Sequence, residues 1–176
     1  MMSFRSLSRS AIVAAVALAT SSAAQAQTSF TAFLNGPAAG VQTLATGSGT
    51  VLMNAARTQI TISLVFQGLS TPFTVAHIHN GAVGVGGPVL IDIGSLITPQ
   101  GGTSGSIPIL NAVLNINMAQ ANVLLAGNGY FNIHTSVFPN GVIRGQINVV
   151  PEPSTYLLMA TGLGGVMMLV RRRRAS

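Results

Sequence analysis

Alternation of apolar and polar side chains between Arg57 and Phe66, interrupted at Val65, limits the possible folds more than any other feature of this chain. Apolar residues occupy positions 60, 62, 64 and 66, and Thr61 and Ser63 lie between them. A two-residue period places alternate side chains on opposite faces of a strand, whereas a helix repeats every 3.6 residues. The segment therefore predicts a β-strand with one face in a core.

The same alternation, rich in β-branched and aromatic residues, recurs along the chain. It predicts further strands at Phe30–Leu34, Gly49–Met53, Phe73–His79, Val89–Ile93, Tyr130–His134 and Val142–Val149. Asn140-Gly141 predicts a hairpin turn. One short helix is expected where Asn117 can cap its start and Gly127 its end. The pattern indicates an all-β fold, an antiparallel β-sandwich with Greek-key connections of the immunoglobulin or superoxide dismutase type. Residues 98–106 are expected to be the least ordered.

The N-terminus has the three parts of an export signal. Arg5 and Arg9 precede the apolar run Ala11–Ala19, and Ala24-Gln25-Ala26 follows as a small-x-small cleavage site. The run is too short to span a bilayer, which needs about 20 apolar residues. Residues 1–26 are therefore predicted to be a signal peptide that signal peptidase removes between Ala26 and Gln27.

The C-terminus, residues 151–176, combines an apolar run with a block of positive charge. Tyr156–Val170 carries no charged residue, and Arg171, Arg172, Arg173 and Arg174 follow directly. The run is close to the lower limit for a membrane-spanning helix, about 17 residues. A transmembrane helix is predicted, with the arginines on the cytoplasmic side. A buried core helix or a nucleic-acid-binding tail explains this sharp boundary less well.

Pro151, Glu152 and Pro153, followed by this apolar helix and the arginine cluster, resemble the PEP-CTERM sorting signal of Gram-negative bacteria. The resemblance implies that a membrane-embedded exosortase cleaves an inner-membrane precursor. The protein would then be released, or transferred to the cell envelope or surface. Such proteins typically come from bacteria that make exopolysaccharide. A permanent membrane anchor is the alternative interpretation.

Residues 27–150 form the predicted domain, and its charge differs from that of the whole chain. The full sequence has a formal net charge of +6. Six of the eight arginines lie in the two terminal segments, which leaves Arg57, Arg144 and Asp92 in the domain, a net charge of +1. Phosphate binding needs clustered basic side chains. Nucleic-acid binding is therefore excluded.

The residue types missing from the domain exclude most hydrolytic mechanisms. There is no Cys or Lys, so thiol, thiolate-metal and Schiff-base chemistry are not available. Asp92 is the domain's only carboxylate, and a glycosidase needs two. The nucleophile-elbow motif G-x-S-x-G is also absent. This composition favours a non-enzymatic role.

Two segments, "GLSTPFTVAHIHNGAVGVGGPV" and "LLAGNGYFNIHTSVFPNGVIRGQI", resemble the two signature halves of the CHRD domain. The resemblance covers most of residues 28–149. The matching positions are His77, His79, Gly81, Gly84, Gly87, Pro88, Tyr130, Asn132, His134, Thr135, Pro139, Gly141, Arg144, Gly145 and Gln146. This chain departs from the family at Val142, where the family usually has Glu, and near its start, where an acidic and proline-containing pattern is reduced to "NGPAAG".

The three histidines leave two alternatives open. His77 and His79 share one strand face, and His134 lies on another strand, so neighbouring strands would bring three imidazoles together as ligands for zinc or copper. The His-x-His strand end is also similar to that of copper,zinc superoxide dismutase, although the cysteines and zinc-binding acid of that enzyme have no counterpart here. In the structural alternative, each imidazole bonds a backbone carbonyl or a neighbouring side chain and fixes a loop.

Arg144 has two interpretations as well. It could pair with Asp92, the lone acid of the domain, or lie on the solvent face that the alternation gives it. The first would be a structural ion pair, and the second an exposed ligand contact.

The main interpretation is an exported, non-enzymatic CHRD protein of the cell surface or extracellular matrix. A nearly uncharged surface rich in Thr, Asn, Gln, Ser and Gly suits contact with exopolysaccharide or self-association. The alternative is a copper- or zinc-binding protein, or a metal-dependent oxidoreductase of the superoxide dismutase type, that uses His77, His79 and His134.

Overall fold

A computed structural model of the chain describes residues 27–108, 112–151 and 153–174. The predicted signal peptide, including Ala26, lies outside these residues, as does Glu152 of the sorting motif. Within the described residues the chain forms an all-β domain with few helices, followed by one C-terminal helix.

The predicted strands are present, with boundaries shifted by a few residues. The strands are β1 (Thr28–Asn35), β2 (Thr46–Met53), β3 (Gln59–Gln67), β4 (Phe73–Asn80), β5 (Val89–Asp92), β6 (Gly105–Ile107), β7 (Val113–Asn115), β8 (Gly129–Thr135), β9 (Ile143–Gln146) and β10 (Asn148–Val149). The single strand expected at Val142–Val149 is divided into β9 and β10.

The strands form one antiparallel sheet that curls around a single core. Its order is β5-β4-β8-β9-β1-β2-β3-β6, with β10 also paired to β1 and β7 to β3. A side-chain carbon added at Gly49 of β2 would lie 2.7 Å from the ring of Phe131 on β8, so the two halves of the sheet face each other. This arrangement is consistent with a β-sandwich, and the immunoglobulin-like or Greek-key assignment stays a prediction.

The first strand joins the two halves of the sheet. β1 pairs with β2 along its whole length, with β10 at Phe30 and Thr31, and with β9 at Asn35. Its alternate side chains Phe30, Ala32 and Leu34 are buried in the core. β1 therefore has all of its sheet neighbours only when the last two strands of the domain, β9 and β10, have paired with it.

The prediction that residues 98–106 are the least ordered part is wrong in its second half. Gly105–Ile107 forms β6, which pairs with β3, and Thr98 and Ser106 form a bridge through reciprocal backbone hydrogen bonds of 2.9 Å. Glycine has a packing role in this segment. At Gly105 it is needed because an added side-chain carbon would lie 2.6 Å from Ile97.

Among the described residues the domain has two short α-helices and one turn of 3-10 helix, Gly94–Leu96, between β5 and β6. α1 (Gly36–Ala39) follows β1 and was not predicted. α2 (Met118–Leu125) was predicted, and Asn117 and Gln120 form a reciprocal capping box at its start. Gly127 follows with a φ of 71°, the left-handed conformation that favours glycine at a helix end.

α3 (Pro153–Arg174) contains the predicted apolar run together with the arginine cluster. Within the described residues, no helix reaches the length and apolar character needed to cross a bilayer. The helix is therefore observed, and its transmembrane role is not confirmed.

Candidate metal centre

β4 and β8 bring the three histidines onto one face of the sheet. The strands pair so that His77 lies opposite Asn132, His79 opposite Tyr130, and Val75 opposite His134. Ala76 and Ile78 alternate with the histidines of β4 and point into the core. The two-residue period therefore directs all three imidazoles away from the core, into one cleft.

The three imidazoles converge as the sequence suggested. One ring nitrogen of each lies within 4.8 Å of the others. His77 Nδ1 and His134 Nε2 are 3.2 Å apart. Bonds of about 2.0–2.1 Å to a tetrahedral ion place two nitrogens about 3.3–3.4 Å apart. One pair already has this spacing, and the third nitrogen needs to move by roughly 1 Å to reach it.

Two backbone carbonyls decide which nitrogen of each ring faces the others. His79 Nδ1 lies 2.9 Å from the carbonyl oxygen of Gly87, and His134 Nδ1 lies 2.9 Å from that of Pro139. A carbonyl can only accept, so both Nδ1 atoms carry the proton and donate. The Nε2 atom of each neutral ring therefore carries a lone pair. That of His134 accepts a hydrogen bond from His77 Nδ1, whereas that of His79 has no partner among the described residues. Ligating histidines at metal sites donate their second nitrogen in the same way.

His79 has one ring nitrogen with no partner. The side chain is 8% exposed, and its buried Nε2 has no hydrogen-bond partner among the described residues. Leaving such an atom unsatisfied costs about 1–3 kcal/mol. The structural alternative explains the Nδ1 bonds of His79 and His134, but it gives His79 Nε2 nothing to bind.

Burial keeps two of the imidazoles neutral. Desolvation lowers the pKa of His79 and of His134, which is 6% exposed, although the carbonyls of Gly87 and Pro139 act in the opposite direction. The positive charges of neighbouring groups lower both pKa values further. A neutral imidazole is the form that binds a metal ion, so the site is prepared for one near neutral pH.

The glycine-rich segment 81–88 covers the cleft, and its glycines allow close approach. A side-chain carbon on Gly87 would collide with the carbonyl oxygen of Asn80, and one on Gly81 would lie 2.7 Å from the carbonyl oxygen of Val85. Only a residue without Cβ can bring the Gly87 carbonyl to His79. The Gly87 backbone N–H in turn donates to the Tyr130 hydroxyl at 3.1 Å.

Tyr130 and Arg144 support the site from one side. The Tyr130 ring stacks on that of His79, with centroids 5.1 Å apart and planes at 12°. The Arg144 guanidinium carbon lies 4.3 Å from the centroid of Tyr130, and Nη2 donates to the Val85 carbonyl at 3.2 Å. Asp92 instead accepts from the backbone N–H of Gly94. Of the two alternatives for Arg144, the structure shows contacts with Tyr130 and Val85 instead of the ion pair with Asp92.

The cleft has a volume of about 450 Å³ and is lined by the three histidines, Tyr130, Asn132 and neighbouring residues of both loops. Asn132 is buried and donates through Nδ2 to the carbonyl of Asn140 at 3.0 Å. Its Oδ1 has no hydrogen-bond partner. Three buried side-chain atoms of the described residues lack a partner, and two of them line this cleft.

The sequence singled out the histidines but not the groups that orient them. Gly87 and Pro139 act through their carbonyls and Tyr130 through stacking, while Asn132 bonds the Asn140 carbonyl in the loop next to Pro139. All four are among the positions that carry the family resemblance, so that signal was present. No sequence pattern predicts that the carbonyl of Gly87 bonds the imidazole of His79, eight residues earlier in the chain.

Comparison with protein families gives two matches that together account for most of the chain. The CHRD domain model matches residues 30–147, and the PEP-CTERM protein-sorting motif matches residues 149–174. The second match implies export and processing by an exosortase from a membrane-anchored precursor. No curated protein and no solved structure matches the chain.

Proposed function

Because this chain belongs to the CHRD domain family and ends in a PEP-CTERM sorting motif, we propose that it is an exported metal-binding protein. The ion is Zn²⁺ or Cu²⁺, and His77, His79 and His134 hold it. The observation that carries this proposal is the convergence of three ring nitrogens within 4.8 Å, one of them a buried Nε2 without a partner.

The choice of ion follows from the donor set. Imidazole nitrogens suit zinc and copper, whereas calcium and magnesium require oxygen ligands. His79 and His134 each donate their second nitrogen to a carbonyl, which fixes the tautomer and the ring orientation. An ion at this position satisfies the lone pair of His79 that the protein alone leaves unbonded.

The protein holds the ion without catalysing a reaction. Asp92 is the only carboxylate of residues 27–150, and its oxygen is bonded to the Gly94 backbone. No second acid or thiol is available for proton transfer. The proposed role is to carry or sequester the metal ion at the cell surface or in the extracellular matrix.

The other half of the sheet suits contact with neutral polymers. The outer faces of β1, β2 and β3 carry uncharged side chains, among them Thr31, Ser48, Thr50 and Ser63. Phe33 lies among them and is 64% exposed. This surface supports the proposal that the protein contacts exopolysaccharide or other copies of itself.

Metal analysis of the full-length chain, purified in detergent, tests the metal site. After dialysis against zinc or copper, one ion per chain is expected, and His79→Ala and His134→Ala should each remove it. Asn140→Ala is the matched control, because Asn140 lines the same cleft but offers no imidazole. Retention of the ion by the double histidine variant, or binding no tighter than millimolar, would overturn the proposal.

A further inference from the structure

The cleft contains no negative charge to balance a metal ion. None of its lining residues is an acid, and the converging cluster consists of histidines alone. Asp92 lies opposite His77 in the strand register, but its side chain is exposed and turned to the Gly94 backbone. Three neutral imidazoles therefore contribute no negative charge to a divalent ion.

The three side chains also leave at least one coordination position open. Zinc and copper sites with three protein ligands hold water or another ligand in the fourth position. The cleft volume of about 450 Å³ exceeds what the ion itself needs. The open position therefore has space for a small molecule of several atoms.

Arg144 adds a second positive charge beside the site. Its guanidinium lies over Tyr130, whose other ring contact is the stacked His79. The bond from Nη2 to the Val85 carbonyl uses one of the five guanidinium N–H groups. Arginine stays charged at all relevant pH values, so its field acts on the cleft permanently.

Building on the proposed function, we propose that the metal centre takes a small anion, a carboxylate or an inorganic oxyanion, as its fourth ligand. The anion donates a lone pair to the ion and displaces a bound water, without any electron transfer. It neutralises part of a charge that the protein leaves unbalanced. Arg144 strengthens this binding through its charge.

Cobalt substitution makes the fourth ligand visible. The full-length chain in detergent is loaded with Co²⁺, and its visible absorption is followed while azide, acetate or phosphate is added. A saturable spectral change is expected with each anion, because the fourth ligand alters the cobalt ligand field. Anion affinity should fall as the ionic strength of a non-coordinating salt rises.

Three variants test the part played by Arg144. Arg144→Gln should weaken anion binding about threefold, the effect of one charge at this range in a solvated cleft. Arg144→Lys keeps the charge and should keep the affinity. Arg57→Gln is the matched control, since it removes the other positive charge of the domain and leaves the cleft unchanged. Equal affinities for the Arg57→Gln and Arg144→Gln variants would overturn the role of Arg144.

The outcomes separate this inference from the metal site itself. If cobalt binds and no anion changes its spectrum, the anion inference fails and the metal-binding proposal stands. If neither cobalt nor zinc binds, both fail together. A spectral change that survives His79→Ala unaltered would place the anion elsewhere and also overturn the inference.

Discussion

β3 and β8 lie in the two halves of the same curled sheet, yet their outer faces differ. In β3, buried core residues alternate with exposed or half-buried ones along the whole strand. In β8 all seven residues are buried. Phe131 and Ile133 face the core in the same way as Ile62 and Leu64, so the difference lies in the opposite face.

That opposite face carries polar groups instead of apolar ones. Tyr130, Asn132 and His134 are buried beneath the loops that follow β4 and β8. Burial of a polar side chain costs free energy unless its polar atoms form hydrogen bonds. Here backbone carbonyls bond only some of these atoms. A sheet face that is covered and yet polar indicates a binding site, whereas the outer face of β3 is open and carries half-buried Thr61 and Ser63 beside exposed Val65.

Metal addition should produce the largest difference between the two halves. With free zinc at about a thousand times its Kd, the native state should gain about 4 kcal/mol. His79→Ala and His134→Ala should abolish this gain, whereas Thr61→Ala on the outer face of β3 should leave it unchanged. Chemical denaturation of the full-length chain in detergent, with zinc or with chelator, measures all four proteins. Loss of the zinc effect in the Thr61→Ala variant as well would contradict a zinc site confined to the half of the sheet that contains β8.

Two adjacent glycines of the covering loop give the next largest effect. Gly87→Ala places a methyl group against the Asn80 carbonyl, and the resulting strain should cost about 1–3 kcal/mol and weaken zinc binding. Gly86 has no atom near its hypothetical Cβ, so Gly86→Ala should be neutral or stabilising by up to about 1 kcal/mol. Melting temperatures and zinc titrations of both variants are the measurement. Equal losses in both would contradict the close approach described for Gly87.

Acid should destabilise the metal-free protein because His79 and His134 become protonated. The pKa values of His79 and His134 are lowered in the folded state, mainly by burial, so the unfolded chain binds more protons below pH 6.5. The free energy of unfolding should therefore be constant above that pH and fall as the pH drops from about 6.5 through the lowered folded-state values. Urea unfolding with chelator between pH 8 and pH 5, two values chosen to bracket about 6.5, records it. The His79→Ala, His134→Ala double variant should show a flatter profile.

The smallest effect is expected on the exposed half. Phe33 is 64% exposed, so Phe33→Ser should change the free energy of unfolding by no more than about 0.5 kcal/mol. Zinc affinity should not change. If the proposed contact with polysaccharide uses this face, retention of the full-length chain on a neutral polysaccharide matrix should decrease. A large loss of stability would show that Phe33 packs against more than the surface suggests.

Periodicity located the main strands because burial of one face requires it. The two-residue pattern at Ile60–Phe66 and at Phe73–His79 predicted both strands and the shared face of His77 and His79. It could not predict β6 and β7, which have three residues each and are held by their pairing with β3. Short strands have too few residues to show a period, and their positions depend on distant partners.

The pairing between β4 and β8 could not be predicted from the sequence for a similar reason. The convergence of His134 on His77 requires a contact across 57 residues of chain. From the sequence alone, this contact could be given only as a condition that a three-histidine metal site requires. The tautomers of His79 and His134 depend on the positions of single carbonyl groups, which only the folded loops determine.

The pairing of β1 with β9 and β10 has a consequence for the timing of secretion. The first strand to leave the membrane has no complete set of neighbours until residues 143–149 have also crossed it. β1 can pair with β2 early, but the sheet cannot be completed until almost the whole chain has crossed, because β1 also needs β9 and β10. During that interval the unfinished sheet exposes its apolar strands to other proteins in the envelope. Retention of the C-terminus at the membrane would keep each unfinished chain separate from its neighbours until its last strand has paired.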